Sequence, residues 1–130
     1  MCKSSLDLRI LGIVVCCAWF LQGCASYRNP WKEPEALRQT WLEITPLGSS
    51  LAEVEAKLKQ RHFEVKKSLN AGFLRQEGDK SETVGEKSIW THLGGYRSVT
   101  LLTTTVTGFW GFDKDDKLIE IWIWKSVEGL

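Results

Sequence analysis

The sequence has little of what catalytic sites and nucleic-acid-binding surfaces are commonly built from. Its 130 residues include two histidines, and Lys and Arg together outnumber Asp and Glu by only 17 to 16. A protein that binds nucleic acid should carry a strong basic excess or a basic stripe, so this balance argues against a nucleic-acid partner. No cysteine follows position 24. An intramolecular disulfide is therefore excluded in the part of the chain from Cys24 onward.

The sequence also lacks an apolar run long enough to cross a membrane, which takes roughly 20 residues. The longest candidate covers residues 10–21, has twelve residues without charge and follows a start that carries Lys3 and Arg9 against Asp7. A basic start and a short apolar segment are typical of an export signal. We therefore expect residues 1–23 to form a signal peptide that is removed.

A tetrapeptide at the end of this segment, Leu21-Gln22-Gly23-Cys24, resembles the lipobox of bacterial lipoproteins. In that family a Leu lies three positions before the cysteine and a small residue lies directly before it. The resemblance implies that the sulfur of Cys24 carries a diacylglycerol, that cleavage precedes Cys24, and that its amine is acylated. Ala25, where aspartate would favour retention at the inner membrane, implies an outer-membrane location facing the periplasm.

The other cysteines do not fit the lipobox, since Cys16 follows Val15 and Cys17 follows Cys16. The expected mature chain runs from Cys24 to Leu130 and has 107 residues, with 15 basic and 15 acidic side chains. One acyl chain binds a membrane only marginally, whereas two or three hold it firmly. The lipid on Cys24 is thus the expected membrane anchor, and no other cofactor is expected.

The mature chain divides into a linker, residues 24–33, and one domain, residues 34–130. Pro34 suits the first position of a helix, and Leu37 and Trp41 follow at helical spacing, which predicts a helix from Pro34 to Glu43. A second helix is predicted after Ser50, which with Glu53 fits a capping box. Its core-facing residues would be Leu51, Val54 and Leu58.

The remainder of the chain indicates strands. Residues 63–67, 88–93, 99–112 and 118–125 are rich in alternating, β-branched or aromatic side chains, and residues 113–117 would form the hairpin loop between the last two. Residues 69–85 are ambiguous, and the charged stretch 78–87 is predicted to be a mobile loop. The resulting fold class is α+β, with two N-terminal helices packed as one layer on a three- to four-stranded antiparallel sheet.

The last strand carries alternating isoleucines and tryptophans. Strand periodicity predicts that Ile119, Ile121 and Ile123 face the core, while Glu120, Trp122 and Trp124 face outward. Tryptophan is also a common core residue, so core and surface remain open for this pair. If Trp122 and Trp124 are exposed, an aromatic patch of this kind often marks a contact surface. Trp122, Trp124 and Glu120 are therefore the hypothetical partner-binding residues.

The sequence offers no recognisable catalytic or metal-binding motif. His62 and His92 lie 30 residues apart, and no third ligand is suggested by spacing. The acidic stretch from Asp113 to Asp116 lacks the glycine and the glutamate that a calcium loop of the EF-hand type needs, so a solvated turn is the preferred interpretation. We therefore expect neither a metal site nor enzymatic activity.

Two segments, "TPLGSSLAEVEAKL" and "FWGFDKDDKLIEIWIWK", resemble the small BamE-like (SmpA/OmlA) outer-membrane lipoproteins. The residues that match in character are Gly48, Ser50, Val54, Leu58, Phe112, Asp113, Asp116 and Leu118. The chain departs from that family after Leu58, where residues 59–62 replace the usual Leu-Gly-x-Pro. The resemblance implies a non-enzymatic accessory in β-barrel assembly with an envelope protein as partner.

A second resemblance keeps another function open. Domains of the β-lactamase-inhibitor type are similar to the same helix–helix–sheet unit, which would imply a periplasmic inhibitor or immunity-type protein. The lipid anchor favours the accessory over the inhibitor.

Overall fold

A computed structural model describes residues 27–129, so the expected signal peptide and Cys24 lie outside the described residues. The described chain contains two helices and six strands. The helices are α1 (Pro34–Ile44) and α2 (Leu51–Gln60), and the strands are β1 (Lys66–Ser68), β2 (Phe73–Glu77), β3 (Lys80–Val84), β4 (Lys87–Arg97), β5 (Thr103–Phe112) and β6 (Leu118–Glu128). Among residues 27–129, neither helix combines the length and apolar character that crossing a membrane requires.

The strands form an antiparallel four-stranded sheet in the order β1-β4-β5-β6, and β2 and β3 form a separate antiparallel hairpin. The predicted α+β class with two helices before an antiparallel sheet is therefore confirmed. The predicted strand bounds were less accurate. The strand expected at residues 88–93 continues through Gly94 and Gly95 to Arg97, and the one expected at residues 63–67 begins only at Lys66.

Both helices begin where the sequence predicts. Pro34 occupies the first turn of α1, where its missing N–H costs no hydrogen bond. Ser50 caps α2, because its hydroxyl accepts a hydrogen bond from the backbone N–H of Glu53 at 3.1 Å. The apolar stripe of α2 is buried as expected, and it consists of Leu51, Val54 and Leu58.

The core lies between the two helices and one face of the sheet, which we call the inner face. Trp110 of β5 is fully buried and meets Trp41 of α1 edge to face, with ring centroids 5.3 Å apart. Its indole N–H donates to the hydroxyl of Thr45 at 3.1 Å, and that hydroxyl donates to the carbonyl of Trp41 at 2.8 Å. The end of α1 is thereby joined to the middle of the sheet.

One core prediction was wrong. Ile121 and Ile123 are buried on the inner face, but Ile119 is 45% exposed. The pairing of β5 with β6 shifts at this point: Phe112 pairs with Leu118 and Gly111 with Glu120, so Ile119 is the extra residue of a β-bulge. Leu118 takes the buried position that strict alternation assigned to Ile119.

A second prediction, the mobile loop over residues 78–87, was also wrong. Strands β2 and β3 are separated by two residues, Gly78 and Asp79, and pair along their whole length. Their hairpin lies on the outer face of the sheet, where Phe73 is buried against aromatic side chains of β5 and β6. The two-layer prediction thus becomes three layers: the helices, the sheet and a small hairpin.

The hairpin approaches the sheet closely at Gly111. A Cβ atom on Gly111 would lie 2.9 Å from Cε1 of Phe73 and 3.2 Å from both Cγ1 and the carbonyl oxygen of Val84. A side chain at this position would therefore push the hairpin outward. The glycine in β5 is what allows β2 and β3 to lie directly on the sheet.

The described part of the predicted linker is packed on the domain. Tyr27 is buried and contacts Trp41 and Phe63, with ring centroids 5.5 and 6.0 Å away. Trp31 stacks on Tyr96 of β4 at 3.9 Å and with an interplanar angle of 20°. This stack holds Trp31 against the domain and leaves the side chain 64% exposed.

Candidate functional site

Residues expected to have no chemical role are dispersed. His62 and His92 are both exposed. The side chain of Asp113 organises the hairpin turn, since one of its oxygens accepts hydrogen bonds from the backbone N–H groups of Asp115 and Lys117 at 2.9 and 3.0 Å. Across residues 27–129, no group of three or more His, Cys, Asp or Glu side chains is placed to hold a metal ion.

The residues that do come together are aromatic. We use the name outer aromatic surface for Phe73, Phe109, Trp122 and Trp124. Trp122 stands at its centre: it stacks on Phe73 at 6.0 Å and 9°, and it contacts Phe109 at 5.4 Å and Trp124 at 5.0 Å. Three elements contribute to it, because Phe73 comes from the hairpin, Phe109 from β5 and the two tryptophans from β6.

The surface is partly covered. Phe73 is buried, while Phe109, Trp122 and Trp124 are each half-buried. A shallow depression of about 200 Å³ opens there and is lined by Leu74, Gln76, Phe109, Trp122 and Trp124. Leu74 is itself exposed on the hairpin. The structure places both tryptophans on the outer face, where alternation predicts them, and leaves an apolar depression open beside them.

Glu120, the third hypothetical partner-binding residue, is engaged within the chain. One carboxylate oxygen accepts from Nε and Nη2 of Arg38 at 3.1 and 2.6 Å, and the other lies 3.6 Å from Nη1 of Arg75. The side chains of Arg38 and Glu120 are 26% and 25% exposed. Since Arg38 belongs to α1 and Arg75 to β2, Glu120 joins the helix layer and the hairpin to β6. Its carboxylate is thereby held beside the outer aromatic surface, and its part in partner binding stays a prediction.

The same contacts cover part of the sheet edge. Nε of Arg38 donates to the carbonyl of Ile121 at 2.9 Å, and the N–H of Ile121 donates to the Glu120 carboxylate at 2.9 Å. β6 is an edge strand, whose free backbone groups would otherwise invite pairing with another chain. The hydrogen bond to Glu120 raises the pKa of the Arg38 guanidinium above its usual range.

Strand alternation predicted that Trp122 and Trp124 lie on the outer face. It did not predict that the hairpin residues Phe73, Leu74 and Arg75 lie beside them. A usable signal existed, since Gly78-Asp79 between two strand-like runs is a two-residue hairpin pattern. Its charged composition obscured that pattern. No local signal reveals that Phe73 would lie on Trp122, because the contact depends on where the hairpin folds back.

Phe73→Ala is expected to release the hairpin without unfolding the domain. A two-stranded hairpin is marginal alone, and Phe73 is its buried contact with the sheet. Hydrogen exchange of the paired β2 and β3 amides should accelerate by about 100-fold, while β5 amides keep nearly wild-type rates. Leu74→Ala, at the exposed neighbouring position, is the matched control. Equal acceleration in β5 would contradict this expectation, since it would mean that Phe73 supports the whole fold.

Comparisons of this chain with protein-family models, with curated proteins and with solved structures found no match.

Proposed function

We propose that this chain is a lipid-anchored protein of the bacterial outer membrane, facing the periplasm, that binds an envelope protein and catalyses no reaction. Its role would be that of an assembly accessory, as the BamE-like resemblance implies. The lipid anchor is supported by the charged start, the short apolar segment and the Leu21-to-Cys24 pattern.

The observation that carries the binding proposal is the outer aromatic surface. Trp122 and Trp124 remain half-buried beside an open apolar depression although the domain has a well-filled core on the opposite face. Tryptophan is enriched among the residues that dominate protein–protein binding energy, especially at the centre of a patch. Contact with a partner would remove the remaining apolar area of these rings from water.

The outer aromatic surface is also held in place before any partner binds, unlike a binding site on a flexible loop. Phe73 and Phe109 hold the Trp122 ring from two sides, and the Arg38–Glu120–Arg75 contacts fix the strand that bears it. Side chains that are already ordered lose little conformational entropy on binding. A preorganised aromatic patch on a rigid sheet is therefore a suitable docking surface for a folded protein.

Affinity capture of the tagged full-length protein from detergent-solubilised membranes tests this function. We expect an outer-membrane β-barrel assembly component among the proteins recovered. A secreted enzyme as sole partner would support the inhibitor or immunity-type function instead. The intact mass of the membrane-extracted protein tests the anchor: a chain beginning at Cys24 with added acyl groups supports it, and an unmodified chain that retains Met1 refutes it.

A further inference from the structure

We propose that the turn between β4 and β5 inserts its apolar side chains into the bilayer surface that holds the lipid of Cys24. This inference rests on the proposed function, because it takes the lipid anchor as given. It assigns an orientation to the domain: the β4–β5 end of the sheet faces the membrane, and the outer aromatic surface stands away from it, available to a partner.

The turn covers residues 98–102 and presents apolar side chains to solvent. Val99 is 103% exposed, Leu101 57% and Leu102 38%. Val127 lies near the end of β6 and pairs with Thr104 of β5. It adds another exposed apolar side chain at the same end of the sheet. Clustered exposed aliphatic residues at one tip are unusual on a protein surface that meets only water.

The turn is also ordered in a way that suits an interface. The N–H of Ser98 donates to the carbonyl of Leu102 at 2.8 Å, and the N–H of Leu101 donates to the carbonyl of Ser98 at 3.1 Å. These two N–H groups keep their partners inside the chain when the turn enters a less polar layer, so their burial costs little. Leu101 has φ of +64°, a backbone conformation that a leucine rarely adopts. The turn therefore holds its apolar side chains outward at a conformational cost.

Aromatic side chains lie behind this tip, on the side toward the domain. Trp31 stacks on Tyr96, and the Nζ atom of Lys125 lies 5.6 Å from the centre of the Tyr96 ring. Tryptophan and tyrosine are enriched at the level of lipid headgroups, where an apolar ring and a polar edge are both accommodated. The aliphatic side chains of the turn would therefore lie deepest in the membrane, and Trp31 and Tyr96 would lie behind them at the level of the headgroups.

The short chain between the lipid on Cys24 and the domain favours a bilayer, rather than another protein, as the surface that the turn meets. Cys24 precedes Trp31 by seven residues, so a lipid on its sulfur enters the bilayer at most about 25 Å from Trp31. Pro30 packs at this end of the sheet, 3.7 Å from where a Cβ on Gly94 would lie. Three charged side chains lie at this end, Arg97 and Lys125 against Glu128, which gives a net of one positive charge. One cation near an anionic surface contributes only about 1 kcal/mol, whereas burying one aliphatic side chain contributes roughly 1.5–3 kcal/mol. We therefore expect apolar insertion rather than attraction to anionic lipid to dominate.

The test uses the full lipidated protein, reconstituted into phosphatidylcholine vesicles that carry a quencher on their acyl chains. The Cys24 sulfur is a thioether in that protein, so Val99→Cys introduces the one thiol available for an environment-sensitive dye. We expect about twofold or greater quenching at position 99, as for a group placed at the headgroup and acyl boundary. Lys114→Cys, in the turn at the opposite end of the sheet, is the matched control and should show no quenching.

A second variant carries both Val99→Cys with its dye and Leu101→Asp. It shows whether the turn or the dye itself enters the membrane. Loss of quenching in that double variant supports the inference, because the turn then carries the dye into the membrane. Equal, low quenching at positions 99 and 114 would overturn the inference. If the mass of that protein still shows lipid on Cys24, the proposed function would stand. An unmodified Cys24 overturns both.

Discussion

Replacing Trp110 by alanine is expected to destabilise the domain by about 3–5 kcal/mol. Trp110 is fully buried, contacts Trp41 edge to face and donates its indole N–H to Thr45. Truncation removes these contacts together and leaves a cavity between the helix layer and the sheet. Because domains are stable by only about 5–15 kcal/mol, this loss takes a large part of the total. Urea denaturation followed by circular dichroism measures it.

Trp31→Ala is the matched control for this prediction. Trp31 is 64% exposed, and its ring stacks on Tyr96. The expected cost is about 1 kcal/mol, the value of one aromatic pair. A Trp110→Ala protein that unfolds at the same urea concentration as Trp31→Ala would contradict the central place of Trp110 in the core.

The buried hydrogen bonds allow a sharper comparison within the core. The indole N–H of Trp110 has a partner, whereas that of Trp41 is buried with none among the described residues. Burying an unpaired donor costs about 1–3 kcal/mol. Trp41→Phe removes this cost, and the gain offsets part of the packing energy that the smaller ring loses. We accordingly expect Trp41→Phe to be tolerated better than Trp110→Phe.

Local patterns in the sequence were sufficient for the starts of the helices and for the inner face of β6 at Ile121 and Ile123. Ser50 with Glu53 predicts the start of α2 because the capping bond is formed within four residues. Ile121 and Ile123 are buried together, as predicted, because strand periodicity is a local property. Both signals depend on neighbours in the chain and are therefore readable without a structure.

The errors share a cause, which is contact between distant segments. Ile119 fits the period of its neighbours, and only the pairing of Gly111 with Glu120 turns it into a bulge. Phe73 has no reason in its own segment to be buried; Gly111, 38 positions later, provides the space for it. The role of Glu120 likewise depends on Arg38 and Arg75 reaching it from other elements.

These long-range contacts alter how the two hypothetical binding tryptophans should be tested. Trp122 contacts Phe73, Phe109 and Trp124, so it supports the hairpin and forms part of the binding surface. Trp124 contacts Trp122 edge to face and makes no ring contact with Phe73 among the described aromatic pairs. A double replacement would combine a loss of binding with a loosened hairpin, whereas single replacements separate the two effects.

Trp124→Ala is expected to weaken capture of the partner by about 30-fold, the effect of removing a residue worth roughly 2 kcal/mol in binding. Its melting temperature should stay near that of the unmodified protein, because the contact between Phe73 and Trp122 is intact. Trp122→Ala should weaken capture and also accelerate exchange in the hairpin. Ile119→Ala removes an apolar side chain that is 45% exposed on the same strand, outside the aromatic surface, and should leave capture unchanged. Undiminished capture by Trp124→Ala, with partner affinity measured by titration in detergent, would place the binding surface elsewhere on the domain.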